Sequence, residues 1–114
     1  MAKVKYILLL PLTYNDQSKV PKSVKDQILD ELFVLAGGYH IAGVGRGAYR
    51  MKTGEKQVDY LLEIWLAIEE DSEGTLKALV AKFGAMLGQQ TMYLERTGGV
   101  VEFIPPSEAG SEGL

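Results

Sequence analysis

Between Val58 and Ile68 the chain alternates without a break. Val58, Tyr60, Leu62, Ile64, Leu66 and Ile68 fall on one face of an extended strand, and Asp59, Leu61, Glu63, Trp65 and Ala67 on the other. The first set is wholly apolar and has to be covered. The stretch before it, Ile41 to Met51, carries Gly43, Gly45 and Gly47 at every second position, with Val44, Arg46, Ala48 and Arg50 between them. Lys52-Thr53-Gly54-Glu55-Lys56 supplies a polar, glycine-containing turn. One long hairpin of adjacent strands, from Tyr39 to Glu70, is therefore what the rest of the chain must pack against.

Burial fixes the expected register, because a slip of one residue exchanges the two faces of a strand. If Arg46 and Arg50 shared the face of Val58, Tyr60 and Leu62, two guanidiniums would enter the core without partners, and an unpaired buried charge is strongly unfavourable. The expected register instead sets Arg50 opposite Asp59 and Arg46 opposite Glu63. It places the three glycines against Leu62, Ile64 and Leu66, where missing side chains let a helix approach. Tyr49 and Tyr60 then form a cross-strand aromatic pair under the helices.

The remaining elements follow from period and punctuation. Residues 3 to 12 read as a first strand, apolar on both faces after Lys5 and ended by Pro11. Pro21 opens a helix with Val24, Ile28, Leu32 and Leu35 on one stripe, and Gly37-Gly38 closes it. Asp71 or Ser72 caps a second helix carrying Leu76, Leu79, Val80, Phe83 and Leu87. Thr91 to Arg96 is a fourth strand, and Thr97-Gly98-Gly99 turns it into a short fifth, Val100 to Ile104. Pro105 to Leu114 reads as a flexible tail, which leaves 1–104 as a single domain. The order β-α-β-β-α-β is that of the α+β ferredoxin-like plait, an antiparallel sheet with two helices on one face, here with an added C-terminal hairpin strand.

The other sheet face is then open. With Tyr6, Leu8 and Leu10 toward the helices, the open face collects Lys5, Ile7 and Leu9 from the first strand. Val44, Arg46, Ala48 and Arg50 join them from the second, and Asp59, Leu61, Glu63, Trp65 and Ala67 from the third. That patch is too apolar to be left bare. A homodimer through this face is the first expectation, since twofold dimers are the commonest oligomers. A small-molecule or peptide site on that face or in the cavity between two sheets, with a small anionic ligand as one occupant, is a second function class. The third is a cofactor-independent enzyme in which Glu63 or Asp59, raised in pKa beside Trp65, acts as the base.

Composition excludes several other classes. The absence of cysteine removes disulfides, thiolate nucleophiles and thiolate metal sites, and a single histidine, His40, leaves no basis for a histidine-rich metal centre. His40, directly after Gly37-Gly38-Tyr39, reads as a strand-edge residue with no acidic neighbour in sequence. Residues 1–56 hold nine Lys/Arg against five Asp/Glu and residues 57–114 three against ten, an asymmetry that an interleaved sheet neutralises internally. No basic, aromatic-interleaved patch points to nucleic acid. Lys3 and Lys5 before Tyr6–Leu12 resemble the start of a leader, but the run is short, holds Pro11 and meets no small-residue cleavage site. The expected setting is cytoplasmic, with no membrane span. Gly43-x-Gly45-x-Gly47 lies within a strand with no helix after it, so no dinucleotide cofactor is implied, and no other cofactor is expected.

Gly47-Ala48-Tyr49-Arg50, followed by Gly54, and Leu87-Gly88-Gln89-Gln90-Thr91 resemble a small bacterial family of unknown function. Its pattern is a Gly-x-Trp-Arg strand and, after the second helix, Phe-Gly-Gln-Glu; Tyr49, Leu87 and Gln90 stand here in place of its Trp, Phe and Glu. The arrangement is more broadly similar to the dimeric α+β barrels, in which paired plait domains enclose a cavity. That resemblance implies a fold and a dimer, and brings no activity with it.

Overall fold

The computed structural model describes residues 2–105. Four strands, β1 (Ala2–Pro11), β2 (His40–Arg50), β3 (Lys56–Ile68) and β4 (Tyr93–Glu102), form one sheet in the order β2-β3-β1-β4, every neighbouring pair antiparallel. Helix α1 (Lys22–Ala36) connects β1 to β2. A 3-10 turn (Glu70–Ser72) leads into α2 (Glu73–Met86), which connects β3 to β4. The tail expected beyond residue 104 lies, apart from Pro105, outside the described residues.

The helices form where the periodicity places them. Pro21 stands at the N-cap of α1, and Gly37 ends it at φ 76, a left-handed conformation that glycine adopts without a Cβ penalty. Tyr6, Leu8 and Leu10 of β1 and Leu62, Ile64, Leu66 and Ile68 of β3 share one side of the sheet. There they meet Ile28 and Leu32 of α1 and Leu76, Val80 and Phe83 of α2 in a single buried cluster. Each such side chain contributes roughly 1.5–3 kcal/mol by leaving water. Both helices therefore cover the same face of an antiparallel sheet, as the element order predicts.

Two expectations fail. Thr97-Gly98-Gly99 does not turn the chain back. Residues 93–102 continue as one strand, and the three residues bulge outward opposite Lys5, between the pairs Tyr6–Arg96 and Val4–Val100. There is thus no C-terminal hairpin strand among the described residues.

The register of the β2–β3 hairpin also differs from the expected one by three positions. Arg46 lies opposite Tyr60 and Arg50 opposite Lys56, while Gly43, Gly45 and Gly47 lie opposite Glu63, Leu61 and Asp59. Three is odd, so the faces exchange. The turn sets this phase: the Met51 amide donates to the Glu55 carbonyl at 2.7 Å, so only Lys52-Thr53-Gly54 loop out, with Gly54 at φ 89. The arginines need no buried partners in this register. β2 is an edge strand exposed almost throughout, and Tyr60 is 51% exposed, so Arg46 and Arg50 sit on the helix side of the sheet but outside the cover of the helices. Tyr49 and Tyr60 accordingly lie on opposite faces and do not pair.

A polar clasp locks α2 to the sheet. The hydroxyl of buried Tyr6 donates to Glu73 Oε1 at 2.6 Å, and Arg96 of β4 reaches Glu70 at 2.9 Å and Glu73 at 3.3 Å. The Tyr6 hydrogen bond, with smaller help from Lys77 and Arg96, holds the Glu73 carboxyl below its ordinary pKa. A depressed folded-state value means that ionised Glu73 favours the folded chain. Its contribution is complete above the unfolded carboxylate value of about 4.3 and is lost as pH falls through the folded value. Tyr6→Phe should therefore lower the thermal midpoint at pH 7 by roughly 5 °C, the effect of one hydrogen bond to a charged group. Unfolding scans should show that difference narrowing below about pH 4.

Candidate functional site

The open face carries Ile7 and Leu9 of β1, Asp59, Leu61, Glu63 and Trp65 of β3, the β2 glycines with Tyr49, and Tyr93 and Glu95 of β4. Six of the eight expected site residues are thus on it. Arg46 is not, because the register turns it to the other face. Arg50 shares that reversal, yet at the very end of β2 it still borders the cleft described next. The expected four-residue cluster of Arg46, Arg50, Asp59 and Glu63 does not assemble.

The cleft, about 360 Å³, opens at the end of the sheet where β1 finishes, the hairpin turns and β4 begins. Its apolar surface comes from Leu9, Pro11, Leu61 and Met92, and Tyr49 and Tyr93 also border it. Asp59, opposite Gly47, is only 7% exposed and is the one buried charged residue among those described. The Tyr49 side chain lies back over Gly47, so close that a Cβ on Gly47 would collide with its ring and hydroxyl. Gly47→Ala should therefore swing Tyr49 away from the cleft, readable as a changed near-ultraviolet tyrosine signal with little loss of stability.

Asp59 sits at the head of an amide network. Gln57 Nε2 donates to Asp59 Oδ1 at 3.0 Å and to Asn15 Oδ1 at 3.1 Å. Asn15 in turn donates to the carbonyl of Gly88 at 3.0 Å, and Gln89 reaches Asn15 at 3.5 Å. The loop after β1 and the loop after α2 are thereby tied to the strand that carries the carboxylate. Asp59 forms no ion pair among the described residues. Tyr93 donates to Glu95 at 2.9 Å, and that bond raises the phenol's pKa, so it stays protonated at neutral pH. The cleft thus offers one carboxylate acceptor, several neutral amides, an arginine at the rim and aromatic walls. That equipment suits an uncharged or cationic ligand with hydroxyl or amino donors.

Glu63 is occupied elsewhere. It accepts the Trp65 indole N–H at 2.7 Å, and it is not part of the Asp59 cleft. His40, the first residue of β2, lies 5.1 Å from Trp65 between ring centroids, and the Lys5 ammonium sits 3.6 Å over the indole. These groups border a second hollow of about 530 Å³ at the opposite end of the face.

Sequence reasoning missed Asn15, Gln57, Gln89 and Tyr93. Gln57 was accessible to it, since it stands two residues before Asp59 and so on the same face. Asn15 and Gln89 depend on two loops meeting in space, which only the strand order reveals.

No helix among the described residues is long and apolar enough to cross a membrane, and no three His, Cys, Asp or Glu side chains among them converge to hold a metal. No family model matches the chain, and no curated protein matches it in sequence. Solved structures do. A phage SAM lyase in complex with S-methyl-5'-thioadenosine superposes with a TM-score of 0.66 at 17% identity, over 87% of each chain. The divalent cation tolerance protein CutA1 of Thermus thermophilus gives 0.55 at 16% identity, over 100% of this chain and 95% of that one. The periplasmic divalent cation tolerance protein CutA of Archaeoglobus fulgidus gives 0.57 at 12%, over 96% and 90%. At such identities the likeness is one of fold, and it supports the ferredoxin-like α+β architecture.

Proposed function

We propose that this protein binds a small molecule of the nucleoside class in the cleft floored by Asp59, and that a second copy of the chain packs on the open sheet face. The observation that carries the reading is Asp59 itself: a carboxylate more than nine-tenths buried, hydrogen-bonded to one amide, beside a cleft with room for a ligand. A buried charge without a cation is unfavourable in the empty protein. It becomes favourable when a ligand donor meets it, and a vicinal diol is such a donor, as in the carboxylate recognition of ribose. Tyr49 and Tyr93 offer a base their aromatic faces. The methylthioadenosine bound to the structurally similar phage SAM lyase makes a thioether nucleoside the first compound to try. The anionic ligand expected from an arginine pair fits less well, since Arg46 faces away and Asp59 would repel it. The cation suggested by the CutA neighbours lacks a converging donor set among the described residues.

Calorimetric titration with S-methyl-5'-thioadenosine and with S-adenosylmethionine tests the reading. Saturable binding of one molecule per chain to either compound supports it, and flat titrations with both overturn it. The packing of a second copy is supported by the strip of Ile7, Leu9 and half-exposed Tyr93 along the middle of the face. Light scattering should give twice the chain mass at every concentration over a hundredfold range. A monomer throughout that range would remove this part of the reading and leave the cleft.

A further inference from the structure

The hollow at the Trp65 end of the open face is not used by this reading, and its chemistry differs from that of the Asp59 cleft. Its floor is the Trp65 indole, which cannot rotate freely because its N–H is held by Glu63 at 2.7 Å. One wall is the connection from α1 to β2, Gly38 with His40, and the other is Phe103 just beyond β4. Two ammonium groups, Lys3 and Lys5, enter from β1 on the same side as Trp65, because Lys5 lies opposite Ala67 and Ile7 opposite Trp65. Each rests on an aromatic ring, Lys5 at 3.6 Å from the Trp65 centroid and Lys3 at 5.4 Å from Phe103. Neither forms an ion pair among the described residues.

Aromatic surfaces in a fixed orientation, two half-buried cations lacking carboxylate partners and a volume of about 530 Å³ occur together here. The volume lies in the range of ligand sites, roughly 300–1,000 Å³. We infer that this hollow is a second ligand site, taking a planar aromatic anion whose ring packs against Trp65 and Phe103 and whose carboxylate is paired by Lys3 and Lys5. The Lys5 ammonium covers the indole face in the empty protein, so the incoming ring takes that face as the flexible lysine swings to the rim, where it meets the carboxylate. Charge and shape both discriminate here: a neutral ring loses the ion pairs, and a small anion without a ring loses the aromatic surface.

Trp65 is the chain's single tryptophan, so its indole N–H gives one nitrogen–proton correlation peak that reports this site alone. Titration of the full chain with 1-naphthoate should move that peak saturably. With 1-naphthalenemethanol, the uncharged analogue, the half-saturation concentration should rise about tenfold or more, and the Lys3→Met/Lys5→Met double variant should show the same loss for naphthoate. Asp59→Asn should leave the naphthoate titration unchanged, which separates this site from the nucleoside cleft. An indole peak that naphthoate does not move overturns the inference. So does one that the neutral alcohol and the double variant leave equally responsive.

Discussion

Phe83→Ala is expected to cost the fold about 3–5 kcal/mol, the loss typical of truncating a fully buried aromatic ring. Phe83 has no exposed surface and stands where α2 meets the sheet, in the cluster that also contains Leu8, Leu32, Ile64 and Leu76. None of these neighbours can fill the gap without leaving its own contacts, so the cavity persists and its walls lose dispersion partners. Against a total stability of roughly 5–15 kcal/mol the change is large, and thermal unfolding should show the midpoint falling by at least roughly 10 °C. The matching control is Val34→Ala in α1. Val34 is 85% exposed, and its truncation should shift the midpoint by no more than about 2 °C. Equal effects at the two positions would contradict the placement of the core.

Asp59→Asn is expected to separate stability from function. The variant keeps the shape of the side chain and an oxygen for Gln57 to donate to, and it removes a charge that meets no cation among the described residues. Removal of that charge should not destabilise the empty protein, as denaturant midpoints would show. Nucleoside binding should weaken by roughly 10–100-fold, the loss of a hydrogen bond to a charged acceptor. A carboxylate retained for architecture would behave in the opposite way: its replacement would destabilise the chain and leave no binding to lose. The pair of measurements therefore decides between the two roles even though a single one would not.

The helices, the helix-covered sheet and most of the open face were legible in the sequence because they rest on period. Ile28, Leu32, Leu76, Val80 and Phe83 recur at helical spacing, and the alternation from Leu62 to Ile68 survives intact in the structure. What was illegible depends on phase and on encounters at long range. The register of β2 turns on how many residues the hairpin loop takes up, which strand periodicity does not encode. Closure at Met51 and Glu55 reversed the faces of Arg46, Arg50, Tyr49 and the glycines together. Burial would select the opposite register only if every residue on the helix side were covered, and the edge strand β2 is exposed almost throughout. Thr97-Gly98-Gly99 has turn composition, yet the chain uses its freedom for a bulge. Of the candidate site, Asp59 and Leu61 could be named from the strand pattern. Their partners Asn15 and Gln89 lie 42 and 74 residues from Gln57 and Asn15 respectively, so only the fold brings them together.

Titration with S-methyl-5'-thioadenosine, followed as a map of backbone amide shifts, tests the proposed ligand site in the Asp59 cleft. The largest changes should cluster at Asn15, Tyr49, Gln57, Asp59, Gln89 and Tyr93, with the Trp65 indole unmoved. Binding whose shifts gather away from these residues, or a spectrum unchanged at millimolar ligand, would contradict it.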